Sequence, residues 1–300
     1  MAQYVIEDLA KIPVRVELAS EFRYRKPLLD KNGLVILISQ SGETADTLAA
    51  LREAKNRQVK TLAIVNVVGS SIAREADNVF YTLAGPEISV ATTKAYSAQL
   101  IAVYTLALQF AKERNEIEMP EYEKLIKELD TLPDKIQEVI DNQEEIQKFA
   151  AKQAAAKDVF FIGRGIDYAV SLEGSLKLKE ISYIHSEAYA AGELKHGTIS
   201  LIEDGTLVIG VLTQDELYEK TISNMVECKS RGAYLMGLTT YGNYTVEDTA
   251  EFTVYVPKTD AHFMASLAVV PLQMLGYYVS VAKGLDVDKP RNLAKSVTVE

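Results

Sequence analysis

The residues best suited to chemistry begin with a hydroxyl-rich segment, Ser39-Gln-Ser-Gly-Glu-Thr44, between an apolar run and a helix-forming run. A strand-to-helix turn presents free backbone N–H groups and the positive end of the helix dipole, and both favour an anion. Gly42 permits close backbone approach, and Ser39, Ser41 and Thr44 add hydroxyl donors. The segment has no lysine, so it is not a nucleotide-type P-loop. It predicts a phosphate-binding loop. The alternative is a helix cap, for which one hydroxyl suffices.

Three charged residues recur at helical spacing in a second segment. Glu173, Lys177 and Glu180 are spaced by four and three, so they share one face of a predicted helix. A carboxylate beside a lysine can act as a general base, because burial raises its pKa and the lysine lowers it. Spacing alone favours the alternative, a solvated ion-pair stripe that contributes little to stability.

Two further candidates are a histidine and a lysine in polar segments. His196 lies in the glycine-bounded segment 190–197, and a histidine there can open a sugar ring by proton transfer. A lone histidine is more often structural, and we assign structural roles to His185 and His262. Lys295 lies in a polar tail, 286–300, that by itself is typical of a frayed terminus. In a pocket, Lys295 could form a Schiff base with a keto sugar or hold an oxyanion.

Composition excludes several classes of function. The formal net charge of -10 argues against general affinity for nucleic acid or for anionic membranes. No apolar run reaches the length of a membrane span, and no signal peptide is recognisable. Three histidines without clustered cysteines predict no metal site, and no residue pattern implies a cofactor. The lone cysteine, Cys228, is predicted to be buried and inert, and it favours a reducing cytoplasm.

Strands and helices alternate along the chain, which predicts an α/β fold with parallel sheets. A Glu- and Lys-rich stretch, 112–146, keeps an apolar stripe and predicts a helical connector. The segment 34–38 is predicted as a fully buried strand. The other predicted strands are 14–18, 61–66, 79–82, 159–162, 207–212, 234–238 and 252–256.

The order of elements indicates a duplicated domain. A strand, helix, strand, acidic loop, strand and long helix follow Gly33, and the same order follows Gly205, about 170 residues later. The second copy opens earlier, with a strand and a glycine-bearing loop at 160–165. The first copy has no room for these, so we expect it to lack its opening strand, through truncation or because that strand is borrowed. The predicted domains are 1–145 with the connector and 146–284, followed by a C-terminal tail at 285–300.

Together these motifs resemble one family closely. The segments 39–44, 87–94, 172–185, 190–197 and 290–300 resemble glutamine–fructose-6-phosphate aminotransferase, also called glucosamine-6-phosphate synthase. The likeness runs from about Ile12 to Glu300 with the motifs in the family's order. It implies two tandem sugar isomerase (SIS) domains, each a three-layer α/β/α sandwich around a parallel sheet.

The resemblance also implies roles for individual residues. Glu180 would be the base for a proton shift between C1 and C2 of fructose 6-phosphate, with Lys177 beside it. His196 would assist ring opening, reaching in from the neighbouring subunit of a homodimer. Lys295 would attack or orient the open-chain ketone. The residues that it assigns to substrate binding are Ser39, Gln40, Ser41 and Thr44 at the phosphate, and Val90, Thr92 and Ala294 near the sugar.

Two departures from the family change the expectation. The family carries an N-terminal glutaminase domain with a cysteine nucleophile, whereas residue 2 here is Ala. We therefore expect ammonia from a separate glutaminase or from solution. The family's Cys-Gly-Thr-Ser loop after the first strand is also missing, which would lower phosphate affinity. The implied function is conversion of fructose 6-phosphate to glucosamine 6-phosphate. The alternatives are a fructosamine-phosphate deglycase and a non-catalytic sugar-phosphate-binding SIS protein.

Overall fold

The computed structural model describes residues 1–296, and the chain divides into two compact units. We call Ala2–Glu116 with 291–296 the N-terminal unit, and Ile117–Pro290 the C-terminal unit. Each unit has a parallel sheet with helices packed on it, which confirms the predicted α/β class. The division differs from the domains expected from sequence, because the connector helices group with the C-terminal unit and the described end of the tail groups with the N-terminal unit.

The N-terminal unit contains three strands in the order β1–β2–β3 among its described residues, all parallel. One face of this sheet packs its apolar side chains against the third helix, where Leu37 and Val65 from the sheet meet Leu51. Its elements are α1 (Ala2–Ala10), α2 (Ala19–Phe22), β1 (Leu34–Ser39), α3 (Ala45–Asn56), β2 (Lys60–Val65), α4 (Ser71–Glu75), β3 (Asn78–Tyr81) and α5 (Lys94–Glu113).

The C-terminal unit begins with three helices, as the connector pattern predicts, and continues into a five-stranded parallel sheet in the order β5–β4–β6–β7–β8. Short 3₁₀ helices lie at Ala191–His196, Thr198–Leu201, Asp215–Leu217 and Tyr244–Asp248. Its elements are α6 (Met119–Asp130), α7 (Leu132–Asp141), α8 (Gln143–Gln153), β4 (Asp158–Gly163), α9 (Ile166–Ser182), β5 (His185–Ala190), β6 (Leu207–Leu212), α10 (Tyr218–Lys229), β7 (Tyr234–Thr240), β8 (Phe252–Val256) and α11 (Met264–Ala282).

Helices cover both faces of the five-stranded sheet. On one face α9 packs through Gly174 against Phe161 of β4 and Leu272 of α11, and a Cβ at Gly174 would lie 3.0 Å from the Phe161 ring. On the other face Gly210 of β6 leaves space for Met225 of α10. Gly210 pairs with Ile162, the residue after Phe161, and successive residues of a strand point to opposite faces. The helices α9 and α10 therefore cover different faces of the sheet, which gives this unit the three layers that the resemblance implies.

The last helix, α11, is long and apolar enough to cross a membrane by length and composition alone. In the structure 72% of its apolar window is buried. It packs against α8 and α9, with residues such as Leu267 and Val279 almost fully covered. Burial within the protein accounts for its composition, so α11 is a core helix.

The pairing registers of the two sheets coincide. Leu34 pairs with Lys60 at the start of β1–β2, and Leu207 pairs with Tyr234 at the start of β6–β7. In both units the following strand begins to pair two residues further along: Leu62 of β2 pairs with Asn78 of β3, and Met236 of β7 pairs with Phe252 of β8. The matching registers support the predicted duplication and make β1 the counterpart of β6.

One contrast between these counterparts corrects an expectation. All of β6 is buried, because β6 lies between β4 and β7. Within the described residues β1 has only β2 as a neighbour, and Leu34 and Ile38 are each 42% exposed. The prediction of a fully buried strand at 34–38 is therefore wrong, whereas the predicted lack of an opening strand in the N-terminal unit agrees with the three-stranded sheet.

The segment 14–18 is neither a helix nor a strand, so that prediction is also wrong. It precedes β1 much as β5 precedes β6, and β5 pairs with β4 alone. With no counterpart of β4 among the described residues, the segment has no ladder to join. The Val14 N–H donates to the Glu7 carboxylate at 2.8 Å, and Val16 and Leu18 are exposed.

Candidate functional site

The hydroxyl-rich segment forms a tight loop between β1 and α3. Ser39 is buried, and its Oγ accepts the Gly42 N–H at 3.0 Å and lies 3.1 Å from Thr44 Oγ1. Thr44 stands at the N-cap position of α3 but makes no side-chain cap hydrogen bond. The first N–H groups of a helix have no partner within the helix, so the start of α3 keeps donors that can meet an anion. The helix-cap alternative therefore loses support.

The back of this loop is fastened to the chain that follows β2. The Asn66 N–H donates to the Gln40 carbonyl at 3.2 Å, and the Ile72 N–H donates to the Gly42 carbonyl at 3.0 Å. Glu43 completes this row because its Oε1 accepts the Ser71 N–H at 2.7 Å. Hydrogen bonding to the side chain and the backbone N–H of Ser71 holds the pKa of Glu43 below its usual range. Three bonds thus fix the loop from outside.

Gly42 is required at its position by conformation and by space. Its φ is +67°, in the left-handed region that favours glycine. A Cβ there would lie 2.6 Å from Ser70 Cβ and still closer to Ser70 Oγ. Ser70 is itself 3% exposed, and its buried Oγ has no hydrogen-bond partner among the described residues. The loop and the Ser70 turn are therefore packed together without spare room.

The tail meets the loop within the N-terminal unit. Ser296 Oγ lies 3.2 Å from Ser41 Oγ. Lys295 Nζ donates to the Ser89 carbonyl and lies 3.3 Å from Thr92 Oγ1. The structure thus brings together Ser39, Ser41, Thr44, Thr92 and Lys295 of the predicted set. Val90 is half-buried and lies two residues before Thr92, and Ala294 is exposed and directly precedes Lys295.

The second predicted cluster lies on α9 and is buried. Lys177 Nζ is 2.5 Å from Glu180 Oε2 and 3.7 Å from Glu173 Oε1. The side chains of Lys177 and Glu173 are 5% and 11% exposed, and that of Glu180 is 23% exposed. Ion pairs at the surface are worth little, but this cluster is withdrawn from water. The solvated-stripe alternative is therefore wrong, and Glu180 is the member that solvent or a ligand can reach.

Glu173 is the most perturbed carboxyl of the cluster. Burial raises its pKa to about 7, the Lys177 charge lowers it, and the Glu180 charge raises it. Its Oε1 is buried without a hydrogen-bond partner among the described residues. This carboxyl therefore ionises at a much higher pH than an exposed glutamate does. Sequence spacing put Glu173 on the same face but carried no signal of its burial.

His196 lies outside α9, the helix that carries this pair. It is exposed at the end of the 3₁₀ helix Ala191–His196. No hydrogen bond or ion pair between described residues links it to Lys177 or to Glu180. Its segment follows β5, at the carboxyl edge of the sheet, where ligands of parallel α/β folds usually bind.

Asp167 was missed by sequence reasoning. It is 1% exposed in the first turn of α9, and its Oδ2 accepts the N–H groups of Thr213 at 2.8 Å and Gln214 at 3.2 Å. Burial raises its pKa to about 6. The turn after β6 is the counterpart of the loop after β1. In the C-terminal unit the two N–H groups of this turn donate to the carboxylate of Asp167, a residue of the same unit. The hydroxyl-rich loop of the N-terminal unit has no such internal anion among its described contacts.

Comparison with known proteins gives the class first. The sequence profile of the SIS domain matches residues 1–109 and 154–283. The chain therefore belongs to the SIS domain family, with one copy of the domain in each part of the duplication.

Particular relatives narrow this class. The glutamine–fructose-6-phosphate aminotransferase (isomerizing) of Clostridium tetani is 58% identical over 300 residues, which are 100% of this chain and 49% of that protein. The chain thus spans about half the length of the curated relatives it matches. The solved C-terminal domain of glucosamine-fructose-6-phosphate aminotransferase from Francisella tularensis is 39% identical with a TM-score of 0.91, covering 96% of this chain and 82% of that chain. A solved glucosamine-6-phosphate deaminase from Thermotoga maritima is 28% identical with a TM-score of 0.78, covering 98% and 85%. The family resemblance drawn from the motifs is confirmed.

Proposed function

We propose that this chain converts fructose 6-phosphate to glucosamine 6-phosphate by aldose–ketose isomerisation, using ammonia delivered from elsewhere. The observation that carries the proposal is the buried Lys177–Glu180 pair, which gives a chain of this family a base for moving a carbon-bound proton. The likeness to aminotransferase relatives over the whole chain supports the choice of substrate.

The phosphate of the substrate is assigned to the loop after β1. Hydroxyl and N–H donors converge there without any lysine, which suits a phosphate held by neutral donors and the α3 dipole. Thr92, Val90 and Ala294 are assigned to the sugar, because Thr92 lies beside the lysine of the tail. The residues proposed to bind the phosphate are Ser39, Gln40, Ser41 and Thr44.

The proton shift is assigned to Glu180. Once ammonia has replaced the C2 oxygen as an imine, with loss of water, the carboxylate takes a proton from C1, exchanges it with solvent and delivers a proton to C2. The C1 hydroxyl loses its proton and becomes the aldehyde, while the C2 nitrogen gains a proton and becomes the amine. Lys177 holds the Glu180 carboxylate in place through the ion pair at 2.5 Å, and a base of this kind contributes on the order of 10²–10⁴ in rate.

The remaining roles go to Lys295 and His196. Lys295 attacks or orients the open-chain ketone, supported by its anchoring at Ser89 and Thr92. His196 opens the sugar ring from the neighbouring subunit of a homodimer, which fits its exposure to solvent. Ammonia is the nitrogen donor in this scheme, and we place the protein in the cytoplasm.

The test follows fructose 6-phosphate in the presence and absence of ammonium, without glutamine. We expect glucose 6-phosphate without ammonium and glucosamine 6-phosphate with it. Glu180→Gln should reduce both by at least a hundredfold, while the exposed Glu219→Gln on α10 should leave both within twofold. Equal turnover by wild type and Glu180→Gln would refute the assignment of the base.

A deaminating direction is the second candidate, favoured by the structural likeness to a glucosamine-6-phosphate deaminase. Release of ammonia from glucosamine 6-phosphate and from a fructosamine phosphate should be measured beside the forward reaction. Amine release from the fructosamine phosphate without isomerisation of fructose 6-phosphate would favour the deglycase. Binding without any turnover, unchanged by Glu180→Gln, would favour a sugar-phosphate-binding protein.

A further inference from the structure

We infer that Glu43 is a positioning residue for the phosphate-binding loop, acting through Ser71 and not through the ligand. The inference rests on the proposed sugar-phosphate site and adds a residue and a direction of effect to it. Glu43 belongs to the motif, but no role in binding or catalysis is assigned to it by the motif or by the resemblance.

The charge of Glu43 is the first reason. A carboxylate within a loop built to bind a dianion repels that ligand, so a contact role with phosphate is unfavourable. The position instead suits an acceptor that faces away from the ligand. Glu43 Oε1 accepts the Ser71 N–H at 2.7 Å, and this donor is the first N–H group of α4.

The surrounding bonds give the second reason. Ser70 stands at the N-cap position of α4 but makes no side-chain cap hydrogen bond, so the carboxylate of Glu43 serves that helix end from across the loop. The next N–H, that of Ile72, donates to the Gly42 carbonyl at 3.0 Å. Two successive donors of α4 thus hold two successive residues of the phosphate loop. Gly42 is also held at its positive φ against Ser70.

The consequence for binding follows from preorganisation. The loop places its donors for an anion only while its backbone keeps this turn, and an unfastened loop must be ordered when ligand binds. Glu43 is solvent-accessible, so losing the hydrogen bond between its carboxylate and Ser71 should weaken phosphate binding modestly, by about tenfold.

Replacing the charge and removing the acceptor should therefore act in opposite directions. Glu43→Gln keeps an oxygen that can accept the Ser71 N–H and removes the repulsion, so phosphate should bind as tightly as to wild type or tighter. Glu43→Ala removes the acceptor, so binding should weaken about tenfold despite the loss of the negative charge. Glu53→Ala on α3 is the matched control, because it also deletes a carboxylate that pairs only locally, with Arg57 at 2.6 Å.

Calorimetric titration of the full chain with inorganic phosphate and with fructose 6-phosphate tests the inference. For Glu43→Ala we expect a tenfold higher Kd for both ligands, a matching rise in KM for fructose 6-phosphate, and kcat within twofold. Ser71→Pro removes the same N–H at a helix position that tolerates proline. It should weaken binding similarly, and the double variant should weaken it no further.

The outcomes separate this inference from the function on which it rests. If wild type binds neither phosphate nor fructose 6-phosphate, the proposed sugar-phosphate site itself fails. If wild type binds but Glu43→Ala binds as tightly, or Glu43→Gln weakens binding as much as Glu43→Ala, the positioning role is overturned.

Discussion

Adding one methyl group at Gly42 should be far more costly than the same change at Gly69, although both glycines have nearly the same backbone angle. Their φ values are +67° and +72°. Left-handed backbone costs a residue with a Cβ about 1–2 kcal/mol. A Cβ at Gly69 meets nothing within 4 Å, whereas one at Gly42 lies 2.6 Å from Ser70 Cβ. Overpacking adds about 1–3 kcal/mol, so Gly42→Ala should cost about 2–5 kcal/mol and Gly69→Ala about 1–2 kcal/mol.

Urea unfolding and phosphate titration of both variants measure this difference. Because the loop can relieve the clash by moving, the loss is shared between stability and affinity, and both must be measured. Adding Ser70→Gly to Gly42→Ala removes the opposing atoms and should bring the total loss close to that of Gly69→Ala. Equal losses for Gly42→Ala and Gly69→Ala in both measurements would refute the reasoning about the packed turn.

Three further predictions concern the C-terminal unit. Glu173 has its pKa raised to about 7 in the folded chain. Its contribution to stability is therefore fully present below the unfolded value and is lost as pH rises through 7. Glu173→Gln should abolish this pH dependence, and at pH 8.5 its free energy of unfolding, measured in urea, should exceed that of wild type by about 3 kcal/mol. A parallel pH dependence of stability in both proteins would contradict this prediction. Lys177→Met leaves two carboxyls without their buried cation, so it should lower stability by about 3–5 kcal/mol and abolish isomerisation, unlike the exposed Lys220→Met. Burial raises the pKa of Cys228 to about 12, so a thiol reagent at pH 8 should label it only after unfolding; rapid labelling of the native chain would exclude its burial.

Much of the fold could be predicted because periodicity and turn residues mark most elements. The apolar run of β6 and the glycine before it are local signals, and the strand forms at the predicted residues, Leu207–Leu212. The strand β5 (His185–Ala190) was missed since its sequence is polar and small, and it depends on pairing with β4. The reverse error at 14–18 has the same origin: the alternation is typical of a strand, but a strand also needs a neighbour.

The candidate site was predictable where its signal is local. Spacing by three put Lys177 beside Glu180, and the structure joins them at 2.5 Å. Contacts between segments distant in sequence carry no such signal, so the Glu43–Ser71 bond and the pairing of Ser41 with Ser296 appear only in the fold. Burial of Glu173 depends on which face of α9 is covered, and helical periodicity alone does not decide that for a stripe of charged residues.

Exchange of the transferred proton with solvent tests the central claim most directly. Fructose 6-phosphate is incubated in D₂O with wild type and with Glu180→Gln, without ammonium, and deuterium at C1 of the ketose and C2 of the aldose product is followed by NMR. Phosphate titration of both proteins checks that the substitution leaves ligand binding unchanged. The account predicts deuterium incorporation by wild type and its loss in Glu180→Gln with Kd unchanged within twofold. Incorporation at the same rate by Glu180→Gln, or none by a wild type that binds the sugar phosphate, would contradict it.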